Sequence, residues 1–223
     1  MNFLLFVLIP IIVGMFAQSR IASAYKKYSA ISNESGLTGR DAAEAVLRAA
    51  GISGVRIKPV NGTLTDHYNP TTRELALSRE NYYGTSIAAI GVAAHEAGHA
   101  VQHAQKYMPL NLRAALVPVT NFACQLLPFV MLGGFFLFHS ITTLYVAVAI
   151  YLVLTIFQLV TLPVEFDASR RAKAYLGNLG ITNSREAAGV ADMLNAAAFT
   201  YVAAFVSSLG WLLYLLAAAN DRR

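Results

Sequence analysis

From Phe199 to Ala219 the chain runs twenty-one residues without a charge. A helix of that length crosses about 30 Å of hydrocarbon. Two other runs are of the same kind. Ala114–Phe138 contains Pro118 and Pro128, and Leu144–Leu162 is closed by Pro163. A fourth, Phe3–Ala17, is near the lower limit of about 17 residues for a span. One such run can be a buried core helix, but three in so short a chain argue for a bilayer. Composition agrees: 13% of the 223 residues are charged, against about a quarter in soluble domains. The expected fold class is a mainly α integral membrane protein with about four transmembrane helices and a small α+β region at the membrane surface.

Phe3–Ala17 competes with a secretory signal peptide, and Ala22-Ser23-Ala24 has the look of a cleavage site. A signal peptide, however, carries its positive charge before the apolar run. Here Arg20, Lys26 and Lys27 come after it, which favours a retained anchor over residues 1–19 with its N-terminus outside. Lys and Arg collect on the cytoplasmic side of spans. Eleven of the seventeen lie between Gln18 and Arg113, and four between Val164 and Ala198. With four spans both segments share one face, assigned as cytoplasmic; Arg222 and Arg223 run against this. The net charge of +5 thus reports topology. No Gly-rich phosphate loop or basic–aromatic interleaving points to nucleic acid. The single cysteine, Cys124, excludes an internal disulfide and a cysteine-based metal site.

The expected organisation is an anchor at 1–19, a cytoplasmic α+β region at 20–113, a transmembrane hairpin at 114–163 turning at His139–Thr143, a helical segment at 164–198 and a last span at 199–223. In the polar region a helix begins near Thr38, with Asp41 placed for a capping box. Ala42, Ala43, Val46, Leu47 and Ala50 recur at helical spacing and Gly51 ends it. GVRIKPV and RELALS alternate as strands around the turn-rich NGTLTDHYNPTT. A further helix is expected from about Ser86 to Gln105.

That helix holds His95-Glu96-Ala97-Gly98-His99. Residues four apart share a helix face, so both histidines can turn a ring nitrogen to one metal ion. Glu96 is rotated by about 100° and lies beside that ion, where it suits a general base acting on water whose pKa zinc has lowered. Gly98 leaves room for a ligand from another helix. Two histidines on a semi-apolar helix are also common as satisfied core residues, and two cannot hold a catalytic zinc alone. His103 is excluded as a third ligand, because it is about 12 Å from His95 along the helix axis.

Glu165, in LPVEFDASRRA just past the third apolar run, is the candidate. It reads either as an interfacial charge after Pro163 or as a functional acid beside a span. Two spans separate it from His95, which returns it to the same face. Asp167 and Ser169 could hydrogen-bond the ligand histidines. Arg170 could pair with Asp167 or steady an oxyanion. Each also reads as an ordinary solvated helix charge or polar group.

DHYNP, ELALS, SIAAIGVAAHEAGHAVQHA, LPVEFDASRRA and LNAAAFTYVAA together resemble the bacterial YugP-type zinc-dependent membrane peptidases, with the likeness running from Tyr25-Lys26-Lys27-Tyr28 to Tyr201. That family is more distantly similar to the HtpX-type gluzincins. The resemblance implies one Zn²⁺ per chain held by His95, His99 and Glu165, with Glu96 as catalytic base. It implies a polypeptide substrate, a membrane protein among the candidates. The HtpX-type pattern places an aspartate four positions after the ligand glutamate; here Ser169 stands there, with Asp167 two earlier, and both stay open as the residue orienting a histidine. Asn69 stands where an aspartate is expected. Gluzincins hold extended substrate on a strand edge, for which Leu75, Ala76, Leu77 and Ser78 are the candidates, a purely structural strand being the other reading. His67, Tyr68, Tyr82 and Tyr83 are candidate oxyanion donors.

The leading expectation is a zinc endopeptidase in the bacterial inner membrane with its active site on the cytoplasmic side. An intramembrane protease is disfavoured, because the segment before His95 is too short and polar to be a span and no span carries an aspartate. The alternative is a non-catalytic scaffold or chaperone-like subunit with a structural or degenerate metal site. An oligomer or a membrane partner protein is left open.

Overall fold

The computed structural model describes residues 3–133 and 141–220. After a π-helical turn at Leu4–Leu8, the elements run α1 (Ile9–Ser29), α2 (Gly39–Ala49), β1 (Arg56–Val60), β2 (His67–Asn69), β3 (Glu74–Ser78), α3 (Arg79–Tyr83), α4 (Ile87–Ala104), α5 (Met108–Phe129), α6 (Ile141–Asn178) and α7 (Ser184–Asn220). Among the described residues four helices are long and apolar enough to cross a membrane: Leu4–Ser29, Met108–Gly133, Ile141–Asn178 and Ser184–Asn220. Of the expected turn at His139–Thr143, His139 and Ser140 lie outside the described residues, and Ile141–Thr143 already open α6.

The chain divides into two units. One comprises residues 1–18, 111–163 and 199–223, the other 19–110 and 164–198. In the first, the apolar helices expose Phe122, Leu152, Leu159 and Leu213 among others, as lipid-facing surfaces do. Its buried cluster is small, Leu144, Ala147, Leu215 and Ala219. Tyr151 stacks on Trp211 with ring centroids 5.7 Å apart.

The second unit has a continuous core drawn from α2, β3, α4, the last part of α1 and the parts of α6 and α7 it contains. In α2 the buried residues Ala42, Ala43, Val46 and Leu47 recur at helical spacing. Burying a Val or Leu contributes about 1.5–3 kcal/mol, so this face docks the helix. Thr38 starts it: its hydroxyl accepts from the Asp41 N–H, and the Asp41 carboxylate accepts from the Thr38 N–H. Gly51, just past the end, adopts φ +69°, a conformation that costs other L-residues. At the other side of the core, the Tyr25-Lys26-Lys27-Tyr28 segment of α1 is tied down at its two tyrosines. The Tyr25 hydroxyl donates to Asn81 Oδ1 and the Tyr28 hydroxyl to Asp192 Oδ2.

The sheet has three strands in the order β1-β3-β2, with β1 parallel and β2 antiparallel to β3. This corrects one expectation. Leu75, Ala76, Leu77 and Ser78 do not form an open edge. They belong to the middle strand and all four are fully buried. Where β2 stops short, Asp66 takes over and accepts from the Ser78 N–H at 2.8 Å. The RELALS alternation identified a strand, but its place in the sheet is set by β1 and β2, which pair with it from either side. The turn before β3 also explains Asn69: its Oδ1 accepts from the N–H groups of Thr71 and Thr72, a turn that Asn and Asp make equally well.

A second difference concerns Pro163. The apolar run stops there, but α6 continues through it to Asn178. A mid-helix proline forgoes one backbone bond and crowds the preceding turn. Beyond it, Val164, Ala168, Ala172 and Leu176 form a buried stripe at helical spacing, and their packing keeps the helix going.

Thr38→Ala removes half of the capping box and should destabilise the protein by about 1 kcal/mol near neutral pH, measured by denaturant titration in detergent. The Thr38 hydroxyl bond holds the Asp41 pKa below its ordinary value. A depressed carboxylate contributes stability above its unfolded pKa of about 3.9 and loses it as pH falls through the folded value. The cost of Thr38→Ala should therefore be full at neutral pH and shrink in acid below about pH 4.

Candidate metal centre

α4 is the helix expected from the sequence. Ser86 caps it, its Oγ accepting from the Ala89 N–H at 3.1 Å, and Gln105 ends it. Most of the helix is buried, including Glu96 and His99. His95 and His99 stand one turn apart with ring centroids 4.8 Å from each other.

α6 crosses α4 at Gly98. A β-carbon there would come within 2.8 Å of the Ala168 carbonyl oxygen and 3.3 Å of its Cα. Only a glycine lets the two backbones approach this closely, and the contact carries Glu165, one turn earlier on α6, to the histidine face. Glu165 Oε2 lies 3.3 Å from His95 Nε2 and 3.7 Å from His99 Nε2. One ligand atom from each residue falls within 4.8 Å of the others.

These spacings test the fit to a metal. Two ligand atoms bound at ~2.0–2.1 Å to a tetrahedral zinc are separated by roughly 3.3 Å. The observed 3.3 and 3.7 Å match that bite and exceed an ordinary charged hydrogen bond of about 2.7–2.9 Å. Two imidazoles and a carboxylate are also the borderline donor set that zinc takes. His95, His99 and Glu165 therefore fit the ion.

Polar groups surround the candidate donors. Ser169 Oγ lies 3.2 Å from His95 Nδ1. On the other ring, His99 Nδ1 lies 3.0 Å from Gln102 Oε1, and Gln102 Nε2 donates to Asp167 Oδ2 at 2.9 Å. The structure brings both Ser169 and Asp167 to the histidine pair. Ser169 meets His95 directly, and Asp167 reaches His99 through Gln102. The sequence reading missed Gln102. The signal for it was its place on the buried face of α4, three residues after His99. Arg170 pairs with Asp167, as does Arg171, and its side chain is otherwise exposed.

Burial opposes a charge on the His99 ring, but Glu165, the charge of Glu96 and the Gln102 acceptor outweigh it and hold its pKa above the usual histidine value. The pocket of carboxylates around these rings favours a cation.

The other candidates are placed differently. His103 bonds through Nδ1 to the Tyr68 hydroxyl at 2.9 Å, which keeps it out of the ligand cluster and occupies the Tyr68 oxygen. His67 is exposed and turns Nδ1 to the Thr65 carbonyl oxygen. Tyr82 and Tyr83 pack edge to face on each other, and Tyr83 is exposed.

Comparison with known proteins identifies the class. Residues 3–220 match the family model described as "Putative neutral zinc metallopeptidase", and the chain belongs to this family. It is 45% identical over 201 residues to "Putative membrane protease YugP" of Bacillus subtilis (strain 168), covering 90% of this chain and 89% of that protein. No solved structure matches it.

The glycine crossing yields a direct prediction. Gly98→Ala should push α6 away from α4 and lower the zinc recovered with the purified protein, measured by elemental analysis. Gly91→Ala is the control. Its β-carbon would meet the flexible end of Met193 at 2.9 Å, and zinc content should stay at the parental level.

Proposed function

We propose that this chain is a membrane-embedded zinc endopeptidase, with His95, His99 and Glu165 as ligands and Glu96 as general base. The observation that supports it most is the meeting of three ligand atoms within 4.8 Å on two helices, next to a second buried carboxylate on α4.

When bound, zinc would lower the pKa of water to about 7 and polarise a peptide carbonyl. The rest of the chemistry falls to the chain. Glu96 takes a proton from the attacking water and returns it to the leaving amine nitrogen as the C–N bond breaks. Ser169 and Gln102 hold the histidine rings in register.

The substrate is read as a polypeptide, a membrane protein among the candidates. Its main chain would pair with a strand edge, and the edge strands of the sheet are β1 and β2. Between them β2 is favoured, since Tyr68 on it bonds to His103 on the metal-bearing helix. The location is read as the bacterial inner membrane, with the site on the cytoplasmic side, from the lysines and arginines near the spans. The gluzincin relationship belongs to the same reading.

Two substitutions separate the roles. Glu96→Gln should keep stoichiometric zinc and lower cleavage of a denatured or peptide substrate by at least about 100-fold. Glu165→Ala should lose the zinc itself. Stoichiometric zinc in Glu165→Ala, or undiminished cleavage by Glu96→Gln, would defeat the mechanism. The orientation is checked separately. With Cys124 replaced by serine, a cysteine at the exposed Leu64 should react with an impermeant maleimide in inverted vesicles and not in intact cells.

A further inference from the structure

Gln102 is fully buried and makes three hydrogen bonds, more than a packing role requires. Its Nε2 donates to the Val164 carbonyl oxygen at 2.8 Å and to Asp167 Oδ2 at 2.9 Å. Both of those atoms can only accept, so the amide cannot be turned round. Its two N–H groups are committed to α6, and Oε1 must be the atom that faces His99 Nδ1 at 3.0 Å. A carbonyl oxygen only accepts. His99 Nδ1 must therefore carry the proton, and in the neutral ring the lone pair is left on Nε2. That is the nitrogen 3.7 Å from Glu165 Oε2, on the side where the ligand atoms converge.

We propose that Gln102 is a positioning residue that fixes the Nδ1–H tautomer of His99 and so presents Nε2 to the metal. Asp167 is the anchor of this device. A carboxylate bonded to an amide donor holds its orientation firmly, and the charge this requires is met by Arg170 and Arg171. The chain of contacts runs from Arg170 and Arg171 through Asp167 and Gln102 to His99. It differs from the partner of His95 Nδ1, which is the hydroxyl of Ser169. A hydroxyl can donate or accept, so Ser169 does not by itself dictate a tautomer, whereas the Gln102 carbonyl oxygen does.

The inference rests on the zinc reading above only for its consequence; the tautomer can be tested without metal. Purified full-length protein carrying ¹⁵N-labelled histidine would be stripped with chelator and its ring nitrogens recorded at alkaline pH, where His99 is neutral. Zinc affinity would be measured in parallel by competition with a chromophoric chelator, and folding by thermal melting of the stripped protein. Gln102→Met keeps the length and loses the acceptor. It should abolish the exclusive Nδ1–H state of His99 and weaken zinc binding about 10–100-fold, the usual range for losing such a partner. Gln102→Glu restores an acceptor and should keep both the tautomer and most of the affinity, even if the stripped protein melts lower beside Asp167.

An unchanged tautomer and affinity in Gln102→Met would overturn the proposal. So would equal loss in both variants that simply follows the melting temperature, since that marks a structural role. Should methionine prevent folding, Gln102→Leu carries the same comparison with Gln102→Glu. A parent protein that binds no zinc but whose His99 tautomer still switches with Gln102→Met would uphold the positioning role and defeat the zinc reading instead.

Discussion

The approach of α6 to the backbone of α4 at Gly98 is the contact on which the rest of the candidate metal centre depends. His95 and His99 are brought together by helix periodicity alone, but Glu165 is sixty-six positions beyond His99 and must be delivered by packing. A missing β-carbon against Ala168 brings the two backbones close enough for a carboxylate of ordinary reach to arrive. The same closeness lets Gln102, on α4, bond to the Val164 carbonyl and to Asp167 on α6. Packing and hydrogen bonding therefore reinforce one another at one crossing. A shift of α6 would break the Gln102 bonds and withdraw Glu165 in the same movement.

Much of this was legible in the sequence because it is local. Thr38 and Asp41 announce the start of α2, Ser86 that of α4, and both caps form. The apolar runs coincide with four long helices. The histidine pair and Glu165 were visible through spacing and through the rarity of acids beside an apolar run. The less legible features are those that neighbours decide. RELALS alternates, yet β3 lies between β1 and β2, and strand order is not written in a strand's own pattern. Pro163 reads as a stop, yet the buried stripe after it keeps α6 helical. Gln102 is a polar residue on a helix and carries no motif; its role appears only when Asp167 is placed beside it.

The match over residues 3–220 fits this division. A motif of five residues could belong to many helices, whereas a likeness across the polar region and the apolar helices alike includes the partners that local patterns leave unassigned. Glycine at 98, serine at 169 and glutamine at 102 have no catalytic chemistry of their own. They are defined by what they let other residues do, and their claim to importance is geometric.

Charge gives the centre a further logic. A buried carboxylate is costly unless a cation meets it, and three acids lie close together here: Glu96, Glu165 and Asp167, all buried. The fold deals with them differently. Asp167 is met by Arg170 and Arg171, which frees it to hold an uncharged amide instead of competing for a metal. Glu165 faces the two imidazoles of His95 and His99, and Glu96 stands close enough to act on His99. Two imidazoles and a carboxylate are a donor set suited to a divalent ion such as zinc. The exposed Arg170 and the largely buried Arg171 thus meet the Asp167 charge, and Asp167 in turn holds the Gln102 amide that faces His99.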